Sequence, residues 1–256
     1  MPSIVCDPGP PVPTVALGDN LVMNLKNAVA LVTGGSMGIG KAVAQSLAAA
    51  GARVAITGRD PGRLADTAQE LGVHPIQADV AIEADVLRTY HEVLDKFGDL
   101  DILVNNAGIG AFGPLVDFDR ADFERVMATN VTGAMLMGRE AAKLFVKRNR
   151  GNIVNIASTA AVRGAPNGTA YYASKFALRG MTECWRAELR KNNVRVFLVN
   201  PSEVITNFAA SAGFPQKDNA SKLRAEDIAY MVKSILEMKD RGFTTELTVF
   251  ATNPQD

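Results

Sequence analysis

Residues Thr169 to Leu178 read TAYYASKFAL and bring two phenols close to one ammonium. Tyr171 stands four residues before Lys175 and Tyr172 three before it, so on a helix either ring comes near the lysine. A cation beside a phenol favours the phenolate and eases proton exchange by a group whose pKa is otherwise roughly 10. Spacing alone does not choose between the tyrosines. With 4 tyrosines and 11 lysines in 256 residues, chance supplies such a pair roughly one time in six.

Three other stretches carry chemistry by residue type and place. VTGGSMGIGKAV sets Gly34, Ser36, Met37, Gly38, Ile39 and Gly40 between an apolar run and a helical one. Glycines there let the backbone approach a diphosphate, and free amides at a helix start favour an anion. The spacing is Gly-x-x-x-Gly-x-Gly rather than Gly-x-Gly-x-x-Gly, and a purely structural turn is the competing reading. ITGRDPGRL places Gly58 where a carboxylate would grip a ribose diol, followed by Arg59, whose guanidinium suits a 2′-phosphate. Asp60 before Pro61 fits a helix N-cap. NADP is therefore expected over NAD, with Arg59 as a solvated surface charge the plain alternative. NNAGIG, with Asn106, Ala107 and Gly108, follows an apolar run and reads either as a ligand-facing edge or as a plain turn. Ser158 in NIASTAA has the same two readings.

The elements that must position these groups alternate. Short apolar runs are expected as strands at Ala28 to Thr33, Arg53 to Thr57, His74 to Ala78, Asp101 to Val104, Asn152 to Ala157, Val194 to Val199 and Glu246 to Phe250. Helical periods run about Ile39 to Ala50, Arg63 to Leu71, Glu83 to Phe97, Asp119 to Asn149, Thr169 to Lys191 and Ala225 to Met238. This alternation predicts an α/β fold, a Rossmann-type doubly wound, seven-stranded parallel sheet with helices on both faces. The segment Asp119 to Asn149 is too long for one ordinary helix, and TNVTG in its middle predicts a break near Asn130. Residues 1–24, with five prolines among the first thirteen, are expected to form a flexible arm, and residues 25–256 a single dinucleotide-binding catalytic domain.

The 27 basic and 27 acidic residues cancel without a block of like charge, which argues against a nucleic-acid footprint. Cys6 and Cys184 are far apart, and His74 and His91 lack a metal-ligand pattern, so no metal is expected. The start lacks the basic and apolar parts of a signal peptide, and no apolar stretch reaches membrane-spanning length, so a cytoplasmic, membrane-free protein is expected.

In this order the pieces resemble the short-chain dehydrogenase/reductase family, whose pattern is Thr-Gly-x-x-x-Gly-x-Gly, Asn-Asn-Ala-Gly, a serine and Tyr-x-x-x-Lys. Here these are Thr33 to Gly40, Asn105 to Gly108, Ser158, and Tyr171 with Lys175. The resemblance covers roughly Leu25 to Phe250 and selects Tyr171 over Tyr172. It implies Asn130 as the fourth catalytic position, supporting a water. It also implies Asp79 and Val80 at an adenine, and Pro201, Val204 and Thr206 in a loop against the cofactor. The chain departs from the family at Ser202, in place of a glycine, and at Met37, where NADP-preferring members often carry a base. Implied next is reduction of a ketone or 3-oxoacyl thioester, with Tyr171 as proton donor, Lys175 and an oxidised nicotinamide lowering its pKa, and Ser158 holding the carbonyl oxygen. The runner-up is an NAD-dependent alcohol dehydrogenase working oxidatively, and a non-catalytic nucleotide-binding scaffold is less favoured. The substrate pocket is expected among Phe112, Val162, Phe208 and Phe214, under a mobile lid at Ser202 to Ser221. An acyl carrier would need Arg163, Arg179 and Arg186. A homotetramer or homodimer is implied through the helices around Met135 to Lys147 and Thr169 to Lys191.

Overall fold

Aliphatic runs bounded by polar turns become strands, numbered in chain order. They are β1 (Val29–Val32), β2 (Arg53–Gly58), β3 (His74–Gln77), β4 (Ile102–Asn105), β5 (Gly151–Ile156), β6 (Val194–Pro201), β7 (Val204–Ile205), β8 (Leu223–Arg224) and β9 (Glu246–Val249). The structure is a computed structural model and describes residues 23–208, 213, 219 and 221–253. All but the last two residues of the expected proline-rich arm lie outside that range, as does Phe214.

Seven of these strands form one parallel sheet in the order β3-β2-β1-β4-β5-β6-β9. The helices are α1 (Gly38–Ala49), α2 (Pro61–Leu71), α3 (Glu83–Phe97), α4 (Arg120–Met127), α5 (Ala134–Arg148), α6 (Thr169–Leu189) and α7 (Ala225–Leu236). They cover both faces. Ala30 and Val32 of β1 pack with Val43 and Leu47 of α1 and Ile228 and Val232 of α7. Val29 and Leu31, pointing the other way, pack with Val86 of α3 and Met137 and Phe145 of α5. Burial on two faces explains why the strands read as unbroken apolar runs.

The doubly wound seven-stranded fold is therefore as expected, with small boundary differences. Asp60 caps α2, its carboxylate accepting from the Arg63 amide at 3.0 Å. Gly72 and Gly98 end α2 and α3 in the left-handed region, which only glycine enters without strain. The break expected near Asn130 is a π-helical turn, Ala128–Gly133, joining α4 to α5. β7, inside the segment Ser202 to Ser221 read as a loop, forms a two-residue parallel ladder with β8 just beyond it. Residues 209–212, 214–218 and 220 of the expected lid lie outside the described range.

Two features aim this scaffold at one place. Strand order reverses about β1, whose neighbours are β2 and β4, so the loops after β1 and β4 part there and leave a crevice at the carboxyl edge. A buried polar chain then ties α6 to the sheet. Asn105 Nδ2 donates to Asn155 Oδ1 at 3.0 Å and to the Ala134 carbonyl at 3.2 Å. Asn155 Nδ2 donates to Thr182 Oγ1 at 2.8 Å, and Thr182 donates to the Leu178 carbonyl at 2.7 Å. Such groups resist displacement, because a slipped helix would leave them buried without partners.

Gly133 permits the π turn to lie against the loop after β3. A Cβ there would stand 2.7 Å from Val80 Cγ2 and 3.0 Å from the Val80 carbonyl oxygen. Gly133→Ala should cost about 1–3 kcal/mol through overpacking, read as a lower urea midpoint with an unchanged m-value. An unshifted midpoint would contradict this packing.

Candidate active site

The loops at the carboxyl edge enclose a cavity of about 480 Å³. Gly34, Ser36, Met37, Gly38 and Ile39 line it after β1, Arg59 after β2, and Asp79 and Val80 after β3. Asn106, Ala107 and Gly108 follow β4, Ser158 follows β5, and Pro201, Val204 and Thr206 come from the end of β6 and beyond. Tyr171 and Lys175 reach in from α6. The sequence motifs thus converge on one space, with two residues set back from its wall.

Gly40 does not line the cavity. A Cβ at Gly40 would collide with the Gly34 carbonyl and the Asn106 amide, so this glycine permits close packing beneath the turn. Asn130 does not line it either, being buried with its side chain bonded within the protein. Its Oδ1 accepts from the Ile109 amide at 2.9 Å, while Nδ2 donates to the Ile109 carbonyl at 2.9 Å and to Ser174 Oγ at 3.0 Å. Ser174 in turn donates to the Tyr171 carbonyl at 2.6 Å. Asn130 therefore clamps the loop after β4 to α6 and is a positioning residue.

The turn after β1 suits an anion. Gly34 and Gly38 have φ of 62° and 54°, left-handed values that a side chain would strain. The N-terminus of α1 has no capping side chain and no acid in its first turn, so its amides and dipole are available to a diphosphate. Thr33 Oγ1 accepts from the amides of Asn106 and Ala107, each at 3.0 Å. Asn106 Nδ2 donates to the Thr33 carbonyl at 2.9 Å. The two loops that would flank a dinucleotide are thereby held together.

At the other end, Ser158 both caps a turn and lines the cavity. Its hydroxyl accepts from the Ala160 amide at 3.1 Å, capping the Thr159–Ala161 turn, and hydrogen-bonds the Tyr171 phenol. Burial pushes that phenol up to about 12, opposed by the Ser158 bond. In the free protein burial sets the direction, and the lowering expected from Lys175 together with an oxidised nicotinamide would act against it. Lys175 is 5% exposed, and burial brings its ammonium down to about 8. Its Nζ donates to the Ile156 carbonyl at 3.0 Å and lies 5.6 Å from the centre of the Tyr171 ring.

Tyr172 does not line the cavity; its ring stands over Gly168, where a Cβ would collide with it. Phe208 lines the cavity, Phe112 packs on Tyr171 with ring centres 5.4 Å apart, and Val162 is exposed. Sequence reasoning missed Arg63 and Arg125, both of which face the cavity. Arg63 donates to the Met37 sulfur at 3.3 Å. Its place one turn into α2, on the side of the glycine turn, was the signal available.

The model of the short chain dehydrogenase family matches residues 28–217. Sex determination protein tasselseed-2 of Zea mays is 39% identical over 205 residues, 77% of this chain and 61% of that protein. The chain thus spans less than two thirds of the maize protein's length. (+)-Borneol dehydrogenase 2 of Salvia officinalis is 37% identical over 74% of this chain and 69% of its own. The crystal structure of 3-ketoacyl-(acyl-carrier-protein) reductase from Brucella melitensis, complexed with NADH, superposes with a TM-score of 0.83 at 31% identity. It covers 89% of this chain and 98% of that one. Matched along most of its length and folded as its relatives are, the chain belongs to the short-chain dehydrogenase family.

Proposed function

We propose that the chain is an NADP(H)-dependent oxidoreductase that reduces a ketone or 3-oxoacyl thioester to the alcohol, with Tyr171 as general acid/base. The observation that carries this reading is the set of half-buried Ser158 and Tyr171 with buried Lys175 at one end of a cavity whose other end is an uncapped helix N-terminus between glycines. When bound, a nicotinamide dinucleotide supplies the hydride. Gly34, Gly38 and the α1 amides would hold its diphosphate, Asp79 and Val80 its adenine end, and Lys175 its nicotinamide ribose.

Tyr171, with its proton held up to about 12, is a donor throughout the neutral range. As the carbonyl carbon gains hydride, its oxygen takes that proton, while the Ser158 hydroxyl hydrogen-bonds the same oxygen. The tyrosine is left a phenolate, beside which a charged Lys175 is favourable.

Arg59 and Arg63 support NADP. Arg59 is 61% exposed and only loosely paired, 4.0 Å from Asp79. Asp60 faces the cavity, but its carboxylate is engaged by the Arg63 amide and lies 3.7 Å from that guanidinium. Both substrate classes have a counterpart among the relatives, one named for borneol and one for a 3-ketoacyl carrier protein. We also assign residues 25–256 to one catalytic domain that self-associates as a dimer or tetramer through α5 and α6. Val146 and Phe176 on those helices, 41% and 46% exposed, are apolar surface for such a contact. Among the described residues no helix is long and apolar enough to cross a membrane.

Tyr171→Phe should lower kcat for NADPH-driven ketone reduction about 10²–10⁴-fold, with NADPH binding by fluorescence nearly unchanged; an active variant would refute the assignment. Arg59→Ala should raise the KM for NADPH about tenfold and leave that for NADH unaltered, whereas equal effects on both would return the cofactor to NAD. Lys175 carries its proton below about 8 and loses it above. The kcat/KM for reduction, which reports free-enzyme groups, should therefore fall as pH rises through about 8. A flat profile to pH about 10, the ordinary lysine range, would contradict that role.

A further inference from the structure

Two substrate classes with opposite surface chemistry fit the proposed reaction, and the walls around Tyr171 separate them. Its ring centre lies 5.4 Å from that of Phe112, 5.4 Å from that of Phe208 and 6.1 Å from that of Tyr172. These rings come from three segments, after β4, after β7 and on α6, and that of Phe208 also lines the cavity beside the phenol. Lys175 also lines the cavity, with one hydrogen bond from its ammonium going to the Ile156 carbonyl. Among the described residues, the other charged groups of the cavity, Arg59, Asp60, Arg63, Asp79 and Arg125, come from the loop after β2, from α2, from the loop after β3 and from α4.

The arginines that a carrier protein or a phosphopantetheine arm would require are engaged elsewhere. Arg179 pairs with Glu183 at 3.4 Å and with Glu246 at 3.1 Å. Arg186 donates to the carbonyls of Val196 at 3.1 Å and Thr245 at 2.6 Å. Glu246 begins β9, in register with Leu198 of β6, and Thr245 precedes it. The basic surface read from the sequence is thereby reduced to Arg163.

Resting on the reductase reading above, we infer that the substrate is a neutral, apolar ketone with a ring or equivalent hydrocarbon bulk beside its carbonyl, and that Phe112 and Phe208 determine this specificity. A carbonyl presented to Ser158 and Tyr171 must lay its flank along these rings. Hydrocarbon gains there by leaving water. A carboxylate, or the amide-rich arm of a thioester, would lose hydration without finding a partner.

The test is NADPH oxidation by the purified full chain with 2-decalone, acetoacetyl coenzyme A and 4-oxopentanoate. The kcat/KM for 2-decalone should exceed the other two about 100-fold. Phe112→Ala and Phe208→Ala should each cut that advantage about tenfold, chiefly through KM, while Phe208→Tyr keeps it. Should alanine prevent folding, Phe112→Leu and Phe208→Leu remove the ring but keep the bulk and give the same readout. Equal or better turnover of the thioester or the carboxylate overturns the inference, as does a preference that survives loss of either ring. If no substrate supports NADPH oxidation, the reductase reading itself fails, a result distinct from activity with the wrong preference.

Discussion

A lysine ammonium taken out of water must find other partners or give up its proton, and the site is organised around one such group. Lys175 has the Ile156 carbonyl as its hydrogen-bond partner and, among the described residues, no carboxylate. A carboxylate beside it would hold the cation more tightly, yet would add a charge against any phenolate formed nearby. With a carbonyl instead, the ammonium stays electrostatically available to Tyr171 while sitting near its own titration. That arrangement is costly by itself, so the scaffold must prevent its relaxation toward water.

The scaffold does so through buried polar contacts as well as apolar packing. The chain from Asn105 through Asn155 to Thr182 sets α6 against β4 and β5, and Asn130 with Ser174 sets it against the loop after β4. Tyr171 and Lys175 project from between these two anchor points. The π turn belongs to the same device, since it carries the Asn130 amide to Ile109 and Ser174. Phe112 and Phe208 then close over the phenol, and the same burial that raises its pKa defines what can approach it.

Much of this was legible in the residues. Unbroken apolar runs marked the strands because both faces of the sheet are covered. The span Glu83 to Phe97 was readable to its ends, since acids occupy its first turn and a left-handed Gly98 stops it. TNVTG announced an interrupted helix, and the spacing around Tyr171 and Lys175 placed both on one face. What escaped depended on partners distant in the chain. The direction of the Tyr171 shift comes from burial, which spacing to Lys175 does not report. Arg179 and Arg186 looked like free surface charge because their partners at residues 245 and 246 lie about sixty positions away. Arg63 was read only as a helix start, since its reach to Met37 depends on how α2 is turned. The ladder of β7 and β8 is too short to leave a period.

The central claim is that Lys175 is buried, without a carboxylate, beside the phenol that it serves, and its own titration tests this most directly. Nitrogen-15 NMR of the lysine Nζ in the free protein, with Lys175 assigned by substitution, should show a midpoint at about 8. A midpoint at the ordinary value of 10.5 would mean that the ammonium is solvated or paired, and would contradict the account of how Tyr171 is placed and charged.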